Sequence, residues 1–163
     1  MAEEMKKGKI AVVRVRGEVD IKRGIKDTLS MLNLRHANWI TFLEPTDVNM
    51  GMIQKVKDFI TWGEVDDKIF EMIIVKWARK AADKRLDESE AKKFAADFLA
   101  GKTTFRKAGV KPYIRLHPPT KGHERGGIKT PFSIGGSLGN RGEKINELLV
   151  KMAGIKLNDG SKK

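Results

Sequence analysis

The sequence contains no cysteine. This absence excludes a disulfide framework, thiolate catalysis and cysteine-ligated zinc. No apolar run approaches the ~20 residues of a membrane-spanning helix, and residues 1–9 lack the apolar core of a signal peptide. We therefore expect a cytoplasmic protein that has no membrane partner.

The sequence also has few residue patterns typical of catalytic or metal-binding sites. Aromatic residues make up 7% of the chain, and the three tryptophans lie mostly at spacings typical of a core. His36, His117 and His123 do not have the spacing of metal ligands, and no Ser/His/Asp cluster stands out. The sequence thus predicts no metal, no cofactor, no small-molecule substrate and no enzymatic activity.

Positive charge is what the sequence has in excess. The 163 residues include 33 Lys and Arg against 21 Asp and Glu, a net charge of +12. Such a charge indicates a polyanionic partner, either nucleic acid or an anionic membrane surface, and of these we expect nucleic acid. The excess is uneven, because residues 1–66 and 67–100 are each nearly neutral, whereas residues 101–132 hold eight basic residues and one acidic residue.

Much of the excess falls in a long loop predicted over residues 117–142, which we call the basic loop. It holds seven glycines and three prolines, but its only sizeable apolar side chains are Ile128, Phe132, Ile134 and Leu138. Ordering a backbone costs about 1–2 kcal/mol per residue, and four apolar side chains cannot offset that cost over such a length. We therefore expect the loop to take its shape only against a polyanion, with an ordinary solvated loop as the alternative.

The end of the basic loop, "GGSLGNRGEK", leads into a predicted helix. Free amides and the dipole at a helix N-terminus favour a phosphate oxygen. The glycines do not fit the G-x-G-x-x-G pattern of a nucleotide-binding turn. Two interpretations stay open, a clamp for a nucleic-acid phosphate and an ordinary glycine-rich helix entry.

Residues 1–66 alternate between strand and helix patterns. Strands are predicted over Lys9–Gly17 and within "NWITFLEP" and "FITWGEV", with helices over Lys22–Leu34 and after Thr46 or Asp47. We expect parallel strands joined by right-handed crossovers, with both helices on one face of the sheet. Arg14 and Arg16 would then protrude from the other, open face.

Residues 67–163 differ in character and are predicted to form an extension. Amphipathic helices are indicated over Lys68–Ala82, after a capping box at Asp87, and after a second cap at Asn140. Lys111–Leu116 is strand-like. The expected fold class is α+β, with an RNA-binding core over residues 1–66 and the extension over residues 67–163.

Two blocks of the sequence resemble a known family. "VVRVRG…IKDTLSMLNLRHANWITFLEPTDVNMGMIQKVKDFITWGEV" is similar to the core of the ribosomal large-subunit protein L thirty family, called L seven in eukaryotes. "GGIKTPFSIGGSLGNRGEKINELL" is similar to the ending of its longer archaeal and eukaryotic members. Because the chain has no long basic N-terminal arm, the archaeal form fits better than the eukaryotic one.

The resemblance implies a ferredoxin-like β-α-β-α-β core and a noncatalytic, structural role in the large ribosomal subunit. The implied partners are large-subunit ribosomal RNA, with 5S ribosomal RNA as a further candidate, and neighbouring large-subunit proteins. The RNA contacts implied by position are Arg14, Arg16, Lys22, Arg23, Lys26, Arg35, Asn49, Met50, Arg125, Asn140 and Arg141. The predicted interface also includes His36, Lys121, His123, Lys129 and Lys144.

Two other functions remain open from the sequence. One is a ferredoxin-like acylphosphate hydrolase, although Glu18 and Asp20 put carboxylates where its phosphate cradle should be. The other is a regulator that binds single-stranded RNA on the sheet face, but the first strand offers no aromatic side chains on which bases would stack.

Overall fold

The computed structural model of the chain describes residues 9–156. The predicted β-α-β-α-β order is confirmed, and the fold class is α+β as expected. The strands are β1 (Ile10–Arg14), β2 (Trp39–Leu43), β3 (Ile60–Glu64), β4 (Ile114–Arg115) and β5 (Gly139–Asn140). The helices are α1 (Arg23–Met31), α2 (Asp47–Lys55), α3 (Asp67–Trp77), α4 (Glu88–Leu99) and α5 (Ile145–Ala153).

The strands form one sheet in the order β4-β2-β1-β3-β5. The prediction of neighbouring parallel strands is wrong, because β1 lies between β2 and β3 and pairs antiparallel with both. Within residues 10–64, α2 connects the parallel strands β2 and β3 and passes over β1, which lies between them. The nine-residue α1 lies between the irregular segments 15–22 and 32–38, which are long enough to reverse the chain direction before β2 begins.

Both faces of the central sheet are covered, so the predicted open face does not exist. On one face, Ile10 and Val12 of β1 pack in a core with residues of α1 and α2. On the other face, Ala11 and Val13 pack in a second core with residues of α3, α4 and α5. The alternating side chains of β1 therefore serve two cores, and all five of its residues are buried.

The extension completes the sheet as well as covering it. β4 pairs with β2 at one edge, and β5 pairs parallel with β3 at the other. The division into residues 1–66 and 67–163 stays a prediction, since one sheet contains strands from both parts.

Gly63 marks the closest approach between the core and the extension. A Cβ at this position would lie 2.1 Å from the carbonyl oxygen of Gly142 and 2.9 Å from Cβ of Ile145. Gly63 is therefore a point of close backbone approach. The absent side chain is what lets the start of α5 lie directly on β3.

The predicted helix caps were only partly correct. Thr46 caps α2 as expected, since its hydroxyl accepts a hydrogen bond from the amide of Asn49. Asp87 precedes α4 but its side chain makes no cap hydrogen bond. Asn140 does not cap α5; its side-chain oxygen accepts from the amide of Gly142 two residues later, in a short turn before the helix.

Candidate nucleic-acid interface

Three of the predicted contacts lie together where α1 begins. Lys22 occupies the N-cap position, Arg23 and Lys26 lie in the first turn, and all three are exposed. Lys55 at the end of α2 is close by, because a Cβ at Gly24 would be 4.0 Å from its Nζ. The first turn of α1 contains no acidic residue and no side-chain cap. Cations here oppose the helix dipole, so this cluster fits a surface that meets phosphate groups.

Arg14 is not on the surface, which corrects its predicted placement. Its side chain is 1% exposed, on the α1 and α2 side of the sheet. The guanidinium donates to the carbonyl oxygens of Arg16 (2.9 Å), Leu34 (2.8 Å), Gly17 (3.1 Å) and Arg35. Burial lowers the pKa of Arg14, an effect that Glu18 partly opposes. We therefore leave Arg14 out of the interface.

Arg14 instead holds the segments that carry other predicted contacts. Its bonds to the carbonyls of Leu34 and Arg35 fix the turn after α1, and this turn presents Arg35 and His36 as exposed side chains. Its bond to the carbonyl of Arg16 fixes the end of β1. Buried charge is expensive unless hydrogen-bonded, and here the surrounding carbonyls supply those bonds.

Arg16 lies just beyond β1 and is half-buried rather than protruding from an open sheet face. Its guanidinium carbon is 4.8 Å from the centre of the Phe59 ring, and Nη1 donates to the carbonyl of Asp58 at 3.2 Å. Stacking of this kind is modest in strength at exposed sites. Arg16 is thus held in place while part of its guanidinium faces solvent.

Asn49 and Met50 lie in the first turn of α2 and are both half-buried. The side-chain amide of Asn49 donates to the carbonyl of Glu44 at 2.9 Å, which ties the loop before α2 to the helix. Met50 packs against the core beneath α1 and α2. Sequence reasoning did not foresee the structural contact of Asn49, whereas core packing was one interpretation of Met50.

The basic loop has a conformation of its own, so the expectation that only a polyanion shapes it is wrong. Backbone hydrogen bonds cross it, including Gly126 N to Gly135 O (2.9 Å), Phe132 N to Leu138 O (2.7 Å) and Ser137 N to Thr130 O (2.9 Å). A Cβ at Gly136 would lie 2.0 Å from the Thr130 carbonyl oxygen. The loop is ordered by close backbone packing, which a count of apolar side chains does not detect.

Arg141 anchors the basic loop to the sheet and is only 6% exposed, which corrects its predicted surface placement. Nε donates to the Thr61 hydroxyl at 3.0 Å, Nη2 to the Ser137 carbonyl at 3.2 Å, and Nη1 to the Glu124 carboxylate at 3.0 Å. Its guanidinium carbon also lies 4.7 Å from the Phe132 ring centre. These contacts occupy all three guanidinium nitrogens, so Arg141 also leaves the interface.

Other cations of the loop do face solvent. Lys121, Arg125 and Lys129 are exposed, as are Asn140 and, two residues past the end of the loop, Lys144. None of these four cations forms an ion pair with a carboxylate of residues 9–156, and neither do Lys22, Arg23, Lys26 or Arg35. The exposed side chains therefore form two unneutralised groups, one at α1 and its following turn and one on the basic loop.

His123 lies beneath the loop rather than on its surface. It is half-buried, and its Nδ1 has no hydrogen-bond partner in the described part of the chain. Burial lowers the pKa of His123 below its ordinary 6.5, and the nearby Arg141 lowers it further. The ring is therefore neutral at pH 7, which weakens its case as a phosphate contact.

Sequence reasoning missed a group of aromatic and cationic side chains at the edge of the sheet beside β4. Trp39 and Tyr113 stack with ring centres 4.3 Å apart, and the Arg115 guanidinium lies 5.3 Å from the Trp39 ring centre. The alternation in "KPYIRLH" was the available signal, because Lys111, Tyr113, Arg115 and His117 fall on one side of an extended chain.

Two kinds of site are not found among the described residues. Over residues 9–156, no three His, Asp or Glu side chains come together in a way that could hold a metal ion. Within the same range, each helix is too short or too polar to cross a lipid bilayer.

Comparison with known proteins agrees with the predicted resemblance. The model of a family described as ribosomal protein L30p/L7e matches residues 10–60. A large ribosomal subunit protein uL30 from Methanococcus vannielii is 45% identical over 150 residues, which cover 87% of this chain and 97% of that protein.

Proteins with the same name from other archaea show similar sequence identity and coverage. The one from Nanoarchaeum equitans is 41% identical over 149 residues, covering 86% of this chain and 96% of the relative. The one from Methanosphaera stadtmanae is 40% identical over 151 residues, covering 87% and 98%. The similarity therefore includes both the core and the extension.

Proposed function

Since this chain belongs to the ribosomal protein L30p/L7e family, we propose that it is a structural, noncatalytic constituent of the large ribosomal subunit in the cytoplasm. It binds large-subunit ribosomal RNA and supports subunit assembly and translation. The 5S ribosomal RNA and neighbouring large-subunit proteins are further proposed partners, and these rest on the family resemblance alone.

One observation carries the proposed RNA binding. The α1 group and the loop group together hold eight exposed cations, and none of the eight forms an ion pair with a carboxylate of residues 9–156. A protein whose cations served only solubility would mix them with acidic residues, as α4 does with the pair Lys92–Glu88 at 2.8 Å. Exposed cations that are free of ion pairs and lie on ordered segments are suited to contact a phosphate backbone.

The members of the proposed interface are those predicted side chains that reach solvent. They are Arg16, Lys22, Arg23, Lys26, Arg35, His36, Asn49, Met50, Lys121, Arg125, Lys129, Asn140 and Lys144. Arg14 and Arg141 act as positioning residues that hold two of these segments in place. RNA is then recognised by phosphate contacts and shape rather than by reading paired bases.

Two alternative functions are less well supported. A regulator that binds single-stranded RNA on the sheet face needs an open face, and both faces are covered by helices. A hydrolase needs an anion cradle with free cationic donors, yet the guanidinium of Arg14 is bonded to backbone carbonyls. A hydrolysis assay with acetyl phosphate is expected to give no activity above buffer.

The proposal is tested by measuring affinity for archaeal large-subunit ribosomal RNA at increasing salt. The logarithm of the association constant should fall by about 0.7–0.9 per logarithm of salt for each phosphate neutralised. With several phosphate contacts, we expect a slope steeper than about −3. Binding that is absent at low salt, or that does not change with salt, would refute the proposal.

A further inference from the structure

A small cavity lies beside β4, at the edge of the sheet away from the basic loop's strand β5. It has a volume of about 210 Å³ and is lined by side chains from the end of α3 and from the segment around β4. We call it the edge pocket. Its principal walls are Trp77, Arg79, Lys111, Tyr113, Arg115 and His117. None of these residues belongs to the interface proposed above.

Aromatic rings held by packing form part of the pocket. Tyr113 stacks on Trp39 with an angle of 5° between the rings, so one of its faces is fixed while it lines the cavity. Trp77 is pinned by a hydrogen bond from its Nε1 to the Ala153 carbonyl at 3.0 Å, and His117 meets it edge-on at 5.1 Å. The rings are therefore preorganised, which reduces the entropy lost when a ligand stacks on them.

The pocket also carries one cation that forms no ion pair with a carboxylate of residues 9–156. Arg79 and Lys111 share the carboxylate of Asp83, at 3.1 Å and 2.5 Å, and the hydrogen bond from Lys111 lowers the pKa of Asp83. Arg115 is exposed and forms no ion pair within residues 9–156. Its guanidinium lies 5.7 Å from the Tyr113 ring centre, above the stacked pair.

The size and lining indicate the class of ligand. Pockets that enclose a drug-sized molecule measure roughly 300–1,000 Å³, so this smaller cavity suits a single planar group. Aromatic rings together with a free guanidinium are how proteins take up unpaired nucleobases from loops and bulges. An acidic peptide would find Asp83 in the wall and no second free cation among the lining residues.

We propose that the edge pocket receives one unpaired base of ribosomal RNA, which stacks on its aromatic wall while Arg115 contacts the base or the adjoining phosphate. The pocket requires an RNA partner, so this inference rests on the proposed function. It adds a further RNA contact surface, at the β4 edge of the sheet, and a recognition mode that does not depend on phosphate alone.

The three tryptophans make the test direct, because each gives one indole N–H signal in a nitrogen-15 NMR spectrum of the full chain. The probes are single-stranded hexaadenylate and an abasic oligomer with the same number of phosphates. We expect hexaadenylate to shift the signals of Trp77 and Trp39 but not that of Trp62, which is 6% exposed and does not line the pocket. The abasic oligomer should leave all three unchanged.

A pair of variants measures how much Arg115 contributes to the binding of hexaadenylate. Arg115→Gln should weaken hexaadenylate binding by about tenfold, in line with the usual effect of losing one base-stacking or charged contact. Lys107→Gln removes another exposed cation of the extension that does not line the pocket, and it should change the affinity by less than about twofold, as expected for screened charges. Folding of both variants is checked by the unchanged Trp62 signal.

Several results would overturn the inference while leaving the proposed function intact. The first is that hexaadenylate and the abasic oligomer bind alike without moving Trp77, since phosphate alone would then explain binding. The second is that hexaglutamate, and not hexaadenylate, shifts Trp77, since the pocket would then take an acidic protein segment. Failure of the proposed function is recognised separately, by the loss of salt-dependent binding to large-subunit RNA.

Discussion

The turn after α1 and the basic loop both present exposed cations, and they differ in the hydrogen bonds that hold them in place. Each is held by a buried arginine, Arg14 for the turn and Arg141 for the loop. Arg14 donates to backbone carbonyls alone, and its nearest carboxylate, Glu18, is 3.9 Å away. Arg141 instead combines a hydroxyl, a carbonyl and the carboxylate of Glu124.

This difference teaches that arginine in a basic protein is not evidence of a contact surface by itself. In both regions the buried arginine is a structural anchor, and its exposed neighbours are the side chains available to RNA. The two regions should therefore separate into residues that change stability and residues that change binding.

The largest effect is expected from the two anchors. Arg14→Met should lower the free energy of unfolding by about 3–5 kcal/mol, because buried carbonyls lose their donors and each unpaired group costs about 1–3 kcal/mol. Arg141→Met should cost less, about 2–3 kcal/mol, since the half-exposed Glu124 regains water. Urea unfolding measures both. Arg35→Gln is the control and should change stability by less than about 0.5 kcal/mol.

The contact between core and extension can be broken at one glycine. Gly63→Ala should cost about 2–3 kcal/mol, because its Cβ would overlap the Gly142 carbonyl, 2.1 Å away, and backbone atoms there cannot move freely. Gly51→Ala is the matched control, since nothing lies within 4 Å of its Cβ position in α2. That change should instead stabilise by about 0.5–1 kcal/mol. Equal effects in thermal unfolding would contradict the described packing.

The exposed cations of the loop should show the opposite behaviour to the anchors. We expect the double variant Arg125→Glu with Lys129→Glu to keep the stability of the original chain within about 0.5 kcal/mol. Its binding to large-subunit RNA should weaken, and the salt slope should become shallower by about two, one for each lost phosphate contact. A loss of thermal stability like that of Arg141→Met would show that these side chains are structural.

The smallest expected effect is the contribution of His123 to the pH dependence of stability. Its pKa in the folded protein is lowered from 6.5, so between the folded value and 6.5 the unfolded chain binds more protons. Stability contributed by the neutral ring is fully present above pH 6.5 and is lost as pH falls through the folded pKa. His123→Gln should therefore flatten the fall in stability between pH 7 and pH 5. An unchanged pH profile would contradict the burial of His123.

The elements of this fold were largely predictable from sequence, because hydrophobic periodicity is a local property. The strand at Ile60–Glu64 and the helix that buries Ile145, Leu148 and Leu149 followed from spacing alone. Strand direction was not predictable in the same way, because the length between β1 and β2 permits either a crossover or a reversal of the chain. The family motifs confirmed the order of elements but carry no information on pairing.

The candidate site was predictable in composition but not in placement. Charge counts located the loop, yet Arg141 and Arg125 look alike in sequence although only one of them is buried. Burial of an arginine depends on carbonyls and hydroxyls that tertiary packing supplies, such as those of Ser137 and Thr61. The edge pocket was missed for the same reason, since Trp77 and Tyr113 are distant along the chain.

The central claim is that the α1 group and the basic loop face RNA, and directed hydroxyl-radical probing tests it most directly. Because the chain has no cysteine, iron–EDTA can be attached at single sites. Asp27→Cys in α1 and Ser133→Cys in the loop keep every cation of the interface, and Ser89→Cys in α4 is an exposed control. We predict strong cleavage of large-subunit RNA from the first two sites and weak cleavage from the third. Stronger cleavage from Ser89→Cys than from either of the others would contradict the account.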